Sequence, residues 1–311
     1  MSKAVQGRPQ SAREKIAVQQ ASAQRADLRK RTLIAVGSVV AVLVLVVVLI
    51  LVKLAGGTGG KGASAPRQPA GSANTAAGVT RAISSVPAAT LNEVAAGRAY
   101  PAAGGIYPGA IKTVKPSGPP LTSGGKPRVV YVGAEYCPFC AAERWGLAVA
   151  LSRFGTLSGL RLIHSTSTDV DPNTPTLSFY GSTYVSKYVA FSPTEAQKVD
   201  KSPLQPLTAI DKSLMTKYDA PPYVPAGYNG SFPFVDFDNK YVIAGASYDP
   251  GLLAGLSWGQ IAADLADPTS PVGRAIDATA NRITAAICAM TGDKPGDVCT
   301  STGVTSASGS I

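Results

Sequence analysis

Leu33 to Val52, LIAVGSVVAVLVLVVVLILV, is an unbroken run of 20 residues with no charge and no proline. At 1.5 Å rise per residue such a helix spans about 30 Å, the thickness of a bilayer core. A water-soluble core has little use for so long and pure a stretch, and it predicts a single N-terminal transmembrane helix over residues 32–54. The competing reading is a cleaved signal peptide, with Ala63-Ser64-Ala65 as its processing site. Signal segments are shorter, roughly 7–15 apolar residues, which favours the permanent anchor. Residues 1–31 carry eight Lys/Arg against Glu14 and Asp27, while Lys53 stands alone close behind the span. That asymmetry predicts a basic cytoplasmic arm and places the remainder of the chain outside the cytoplasm, anchored in the cell membrane.

The formal net charge of +10 would suit a nucleic-acid partner, but its distribution argues against one. Residues 129–311 carry 12 basic and 16 acidic side chains, so the excess belongs to the arm and to the segment after the span. The arm, free of Gly and Pro over residues 11–30, suits contact with anionic lipid head groups or a short helix. Residues 55–80 are rich in Gly, Ala, Ser and Pro and predict a flexible linker. The folded extracytoplasmic domain is expected over residues 81–300, and residues 301–311 as a disordered tail.

Within the domain, SSVPAATLNEVAAG predicts a short helix with Ser85 as cap, Pro87 in the first turn and Gly97 as stop. RVVYVGA (128–134) suits a buried strand, and PFCAAERWGLAVALSRFG (138–155) a helix ended by Gly155. LRLIHSTSTDV (160–170) predicts the next strand. An aromatic segment, 174–192, alternates like a strand at YVSKYVAF, and PLTAIDKSLMTKY (206–218) suits a helix. FPFVDFDNKYVIAGAS (232–247) predicts two strands turning at Asp238-Asn239. Asp249-Pro250 and Ser270-Pro271 each pair an N-cap with Pro at the first helical position, opening helices over about 250–266 and 271–290, the second closed by Gly292. The expected class is α/β: a mixed sheet flanked by helices, with an inserted segment between the second strand and the loop around Pro233.

Four cysteines occur, Cys137, Cys140, Cys288 and Cys299, all on the side of the membrane where disulfides persist. A four-thiolate metal site and a copper-carrying role for the first pair remain open, although two close pairs are usual for zinc and the second pair here is ten residues apart. Redox chemistry fits the placement better. Cys137 falls at a strand-to-helix junction, where unpaired backbone N–H groups and the helix dipole favour a thiolate. Cys140, one turn inward, is placed to resolve a mixed disulfide. An inert disulfide of the same spacing is the alternative. Cys288 and Cys299 close a short loop and suit a structural disulfide, with a second redox pair that relays electrons as the sharper alternative.

AEYCPFC after a Val-rich strand resembles the active-site segment of the thioredoxin superfamily, with the aromatic Tyr136 before the first cysteine. Pro138 in the motif is similar to glutaredoxins and to strongly oxidising extracytoplasmic oxidoreductases. SFPFVDF followed by NKYVIAG resembles the superfamily's cis-proline loop and antiparallel strand pair. The resemblance implies a thioredoxin-like sheet, a cis Pro233 opposite Cys137, and Phe232 and Tyr136 as substrate-positioning groups. CPFCAAERWGLAVALSRFG with TPTLSFYGSTYVSKYVAF also resembles a family of membrane-anchored thioredoxin-like proteins known only as a domain of unknown function. Two departures stand out. Tyr131 occupies the strand position where thioredoxins carry a buried carboxylate, which leaves proton handling to Glu135, Glu143 or water. Phe139 follows Pro138 where the oxidising enzymes have a histidine, which implies a less acidic Cys137 and a less oxidising disulfide.

Other residues read more plainly. His164 suits a satisfied strand histidine, Asp169 and Asp171 a solvated turn rather than a Ca²⁺ loop, Trp145 the core, and Glu143-Arg144 an exposed helix-surface pair. The Tyr-rich stretch 180–191 suits sheet packing or a peptide ledge. The function expected is a membrane-anchored thiol–disulfide oxidoreductase. It would act on thiols or disulfides of exported proteins, need no cofactor, and use a further redox partner. The alternative is a non-catalytic envelope scaffold with a static disulfide.

Overall fold

The computed structural model describes residues 73–95 and 111–311. The predicted span Leu33–Val52, the basic arm and all but the last residues of the predicted linker lie outside the described residues. Among the described residues, no helix is long and apolar enough to cross a membrane.

The centre is β3 (Lys126–Gly133), whose residues Val129 to Val132 are fully buried. Such continuous burial requires cover on both faces, and alternate side chains supply it. Val129 and Tyr131 face a core built from α3 (Pro138–Ser152) and α6 (Pro271–Thr291). Val130 and Val132 face Leu214, Met215 and Tyr218 of α4 (Ala209–Tyr218). Along the sheet, β3 pairs parallel with β8 (Ala190–Glu195) and antiparallel with β9 (Phe234–Phe237), which pairs with β10 (Tyr241–Ala244). Short strands β1 (Lys112–Thr113) and β2 (Thr122–Ser123) extend the sheet on β10 and β3. The result is a mixed sheet flanked by helices, as expected. Asp238 and Asn239 both take positive φ at the β9–β10 turn, the backbone that a tight hairpin turn requires.

The place of the insertion differs from expectation. LRLIH forms β5 (Arg161–His164), which pairs with β6 (Pro175–Ser178) outside the central sheet. β4 (Gly155–Ser158) and β7 (Thr183–Ser186) form a second small ladder. The next strand of the main sheet after β3 is therefore β8, and the insertion precedes it rather than following it. Pro193 conceals β8 in the sequence. A proline lacks a ladder N–H, but among the described residues β8 has β3 as its one partner in the sheet, and an edge strand tolerates proline.

Both ends of the domain are longer than the sequence suggests. The linker reading gives way at α1 (Ala76–Ser84), capped by Thr75, because Val79 and Ile83 lie one turn apart and bury on one side. α2 (Ala88–Val94) starts after Pro87, which caps without a side-chain bond, and ends at Ala95, not Gly97. The stretch 250–266 divides into a 3₁₀ turn (Pro250–Leu253) and α5 (Trp258–Asp264), the latter with a capping box between Ser257 and Gln260. Residues 301–311 are not a loose tail. α7 (Gly296–Cys299) is followed by α8 (Thr302–Ser308), which buries Val304 and Ala307, and Arg153 donates to Ser301 Oγ at 3.1 Å.

Cys288 and Cys299 are joined as a disulfide that closes this end. The chain-entropy model assigns a loop of this size about 3 kcal/mol. Replacing both with Ser is expected to lower unfolding free energy by about 2–3 kcal/mol in urea titrations, with unchanged far-ultraviolet dichroism.

Asp277 of α6 is buried with neither carboxylate oxygen hydrogen bonded. Burial lifts its pKa from 3.8 to about 8, against the pull of Arg153. A carboxyl whose folded pKa is raised stabilises the fold below its unfolded pKa, and that contribution is lost as pH rises through about 8. The urea midpoint should therefore fall between pH 5 and pH 8, and Asp277→Asn should flatten that fall. An unaltered slope in the variant would refute the assignment.

Candidate active site

The turn between β3 and α3 is held by backbone bonds from three directions. Cys137 N–H donates to Ala134 O at 3.2 Å, Glu135 N–H to Gln197 O at 2.8 Å, and Thr166 N–H to Tyr136 O at 2.9 Å. Cys137 is the N-cap of α3, in extended backbone, and its Sγ accepts the Cys140 N–H at 3.3 Å. Pro138 takes the first helical position, where an N–H would have no intrahelical partner. Cys140 is fully buried, while Cys137 keeps 5% of its surface exposed, and the two thiols are free in this structure.

Phe232 and Pro233 meet this pair from the loop before β9, which runs beside the end of β3. The Phe232–Pro233 peptide is cis, and the Cys137 thiol donates to Phe232 O at 3.7 Å. Tyr136, Phe139 and Phe232, each partly exposed, pack around Ala134, Cys137 and Cys140. The five residues singled out in the sequence (Cys137, Cys140, Tyr136, Phe232 and Pro233) thus come together at one place. Cys288 and Cys299 lie on α6 and α7, which supply nothing to that apolar cluster, and their mutual bond leaves neither sulfur free for a shared metal site. An open groove of about 660 Å³ runs beside the turn, lined by Glu135, His164, Thr166, Lys198 and Asp200 among others. His164 faces this groove and packs on Trp258, ring centroids 4.3 Å apart and planes tilted by 51°. Trp145 is buried and donates to Pro175 O, as its core reading implied.

The reading of Glu143-Arg144 as a surface pair is overturned: both side chains are completely buried. All but two of the helical residues from Pro138 to Ser152 are buried, so α3 has no solvent face on which to place a charge. The two charges have separate partners. Glu143 accepts the Ser247 N–H at 2.8 Å, and burial lifts its pKa to about 7. Arg144 makes a bidentate pair with Glu195 at the end of β8, Nε to Oε1 at 2.9 Å and Nη2 to Oε2 at 2.7 Å. Nη2 also donates to Ala134 O at 2.7 Å, the same carbonyl that holds the Cys137 N–H. Tyr131 lies under the guanidinium, 5.9 Å from ring centroid to Cζ, with its buried hydroxyl unpartnered. The signal for Arg144 was its spacing, four residues from Cys140 and hence on the same helix face.

These surroundings divide the two thiols. Burial pushes both up. For Cys137 it is outweighed by hydrogen bonds from Cys140 and by the Arg144 charge, so the net shift is downward. For Cys140, burial, the hydrogen bond to Cys137 and repulsion between the sulfurs carry the thiol well above its ordinary value, with Arg144 opposing. Glu135, the other carboxylate near the turn, is tied to Arg161 Nη2 at 2.7 Å and to Ser178 Oγ at 2.6 Å.

A family model described as a domain of unknown function (DUF929) matches residues 112–289, from β1 almost to the end of α6. The match includes both thiols, the Phe232–Pro233 loop, Arg144 and Glu195. No curated protein and no solved structure matches the chain.

The asymmetry of the two sulfurs sets an expectation for the reduced protein. Near neutral pH, iodoacetamide should label Cys137 at least tenfold faster than Cys140, read by peptide mass spectrometry. Faster labelling of Cys140 would reverse the assignment.

Proposed function

Because the chain belongs to the DUF929 family, whose description assigns no activity, its chemistry rests on the site, and we propose that it is a membrane-tethered, extracytoplasmic thiol–disulfide oxidoreductase acting on exported proteins. One observation carries this reading: a helix-capping thiol of lowered pKa, the more exposed of two vicinal sulfurs, faces a backbone carbonyl from a separate loop. The sheet order β10-β9-β3-β8, with the dithiol after β3 and Pro233 before β9, supports a thioredoxin-like architecture. The run Leu33–Val52 supplies the tether, and its basic flank supplies the orientation.

The exchange balances in two steps. Cys137 thiolate attacks one sulfur of a client disulfide, forming a mixed disulfide, and the other client sulfur leaves and takes up a proton. Cys140 then attacks Cys137 Sγ, the intramolecular disulfide forms, and the second client sulfur leaves as a thiol. Client oxidation is the same sequence reversed. Phe232 and Tyr136 flank the attacking sulfur and contact the client chain on either side of its cysteine.

A Cys140→Ala variant expressed in cells should accumulate mixed disulfides with exported proteins, visible as dithiothreitol-sensitive bands on non-reducing gels. Cys137→Ala should abolish them. The wild-type pair should also reduce under native conditions with dithiothreitol. A pair that resists native reduction and captures no client would replace this reading with a static scaffold module.

A further inference from the structure

The reaction leaves one buried feature without a role. Arg144 and Glu195 are both fully buried, directly behind the dithiol. As a stabilising device the pair is poor value, since buried ion pairs are often replaced by apolar residues of similar volume at no loss of stability. Its position is more telling than its strength. Arg144 lies one helical turn below Cys140, and its Nη2 grips the carbonyl that also anchors the Cys137 N–H.

Resting on the exchange reading above, we propose that the Arg144–Glu195 pair sets the ionisation and the reduction poise of the dithiol. Arg144 is the buried cation against which Cys140 ionises during resolution, and Glu195 is the anion that moderates it. No carboxylate base is needed for that step. The proton leaves Cys140 for the departing client sulfur as the bond to Cys137 forms, so Arg144 supplies charge and takes no proton. Arginine suits this, because it stays protonated under all conditions of exchange.

The groups facing the thiols are consistent with that division. Tyr131 on β3 presents a neutral hydroxyl, held far above its ordinary pKa by burial, with Arg144 opposing. Tyr136 in the turn is also pushed up, by burial and by the sulfurs, and Asp169 of the β5–β6 loop acts on Tyr136. Lys201 lies over the Tyr136 ring at 5.2 Å, on the solvent side. Glu143 and Glu135 spend their hydrogen bonds on Ser247, and on Arg161 and Ser178. Glu195 is engaged by Arg144 and by the Phe179 N–H at 3.3 Å. Arg144 is thus a positioning residue that acts through the sulfurs, and its Nη1 has no hydrogen-bond partner, which leaves that end of the charge uncommitted.

The test uses Glu195→Gln, Arg144→Gln and the double variant Arg144→Met/Glu195→Leu, each as the full membrane-anchored chain. Thiolate absorbance and redox equilibrium with glutathione are read for all. With Arg144 unopposed, Glu195→Gln should lower the Cys137 pKa and shift the equilibrium at least tenfold toward the dithiol, about 30 mV for a two-electron couple. Arg144→Gln should do the reverse. A structural role alone would weaken folding in both without moving the two equilibria in opposite directions. The double variant is expected to fold, and its pH–rate profile for resolving a Cys137 mixed disulfide should move to higher pH, with at least a tenfold loss of rate at pH 7. An unmoved profile overturns the inference even where a single variant fails to fold. Failure of the wild-type chain to equilibrate with glutathione would instead sink the exchange reading itself.

Discussion

The structure depends on the burial of α3 from all sides. Ala141, Ala142, Ala148 and Ala150 keep its girth small, so that the sheet, α6 and the inserted ladders all reach it. Gly146 marks the closest approach, since a Cβ there would stand 2.6 Å from Thr279 Cγ2 of α6. A helix enclosed in this way reaches water only at its two ends, near Phe139 and at Ser152, and Cys137 sits at the first of these. Enclosure also forces every polar side chain on the helix to find a partner inside the protein, which is why Glu143 and Arg144 are not surface charges.

Much of this was legible where local chemistry decides local structure. The Val-rich strand, the capping cysteine with Pro138 behind it, the Asp238-Asn239 turn and the bounds of α6 at Ser270 and Gly292 all follow from caps, turns and hydrophobic runs. The illegible parts are those in which a long-range contact overrides a local signal. Pro193 argues against a strand until its place at the sheet edge is known. LRLIH has the pattern of a sheet strand, but β8 already fills the position beside β3. The small residues of 301–311 look solvated until Val304 and Ala307 find the face of α6 and α2.

The dithiol was legible and its electrostatics were not, for the same reason. Sequence spacing specifies neighbours along the helix, so Cys137, Cys140 and the departures at Tyr131 and Phe139 could be named. Glu195 arrives from β8, the strand that the sequence concealed, and without it Arg144 has no visible reason to be inside. The pair and the strand had to be found together.

That location changes what a single charge can do. Phe139 and Tyr131 offer no polar help to a thiolate, and Lys201 at the rim acts through water and salt, which screen it within about 8–10 Å. Arg144 acts through protein, where the effective dielectric is several-fold lower and the same charge at the same distance counts for correspondingly more. In the proposed exchange the buried sulfur, Cys140, gains most, because it has no water to solvate its anion and would have to ionise for the mixed disulfide to be released. A cation placed on the exposed side would favour Cys137 and leave that second step slow. Placed behind both sulfurs, and restrained by Glu195, it would in that proposal assist the resolving thiol without locking the pair in the reduced form.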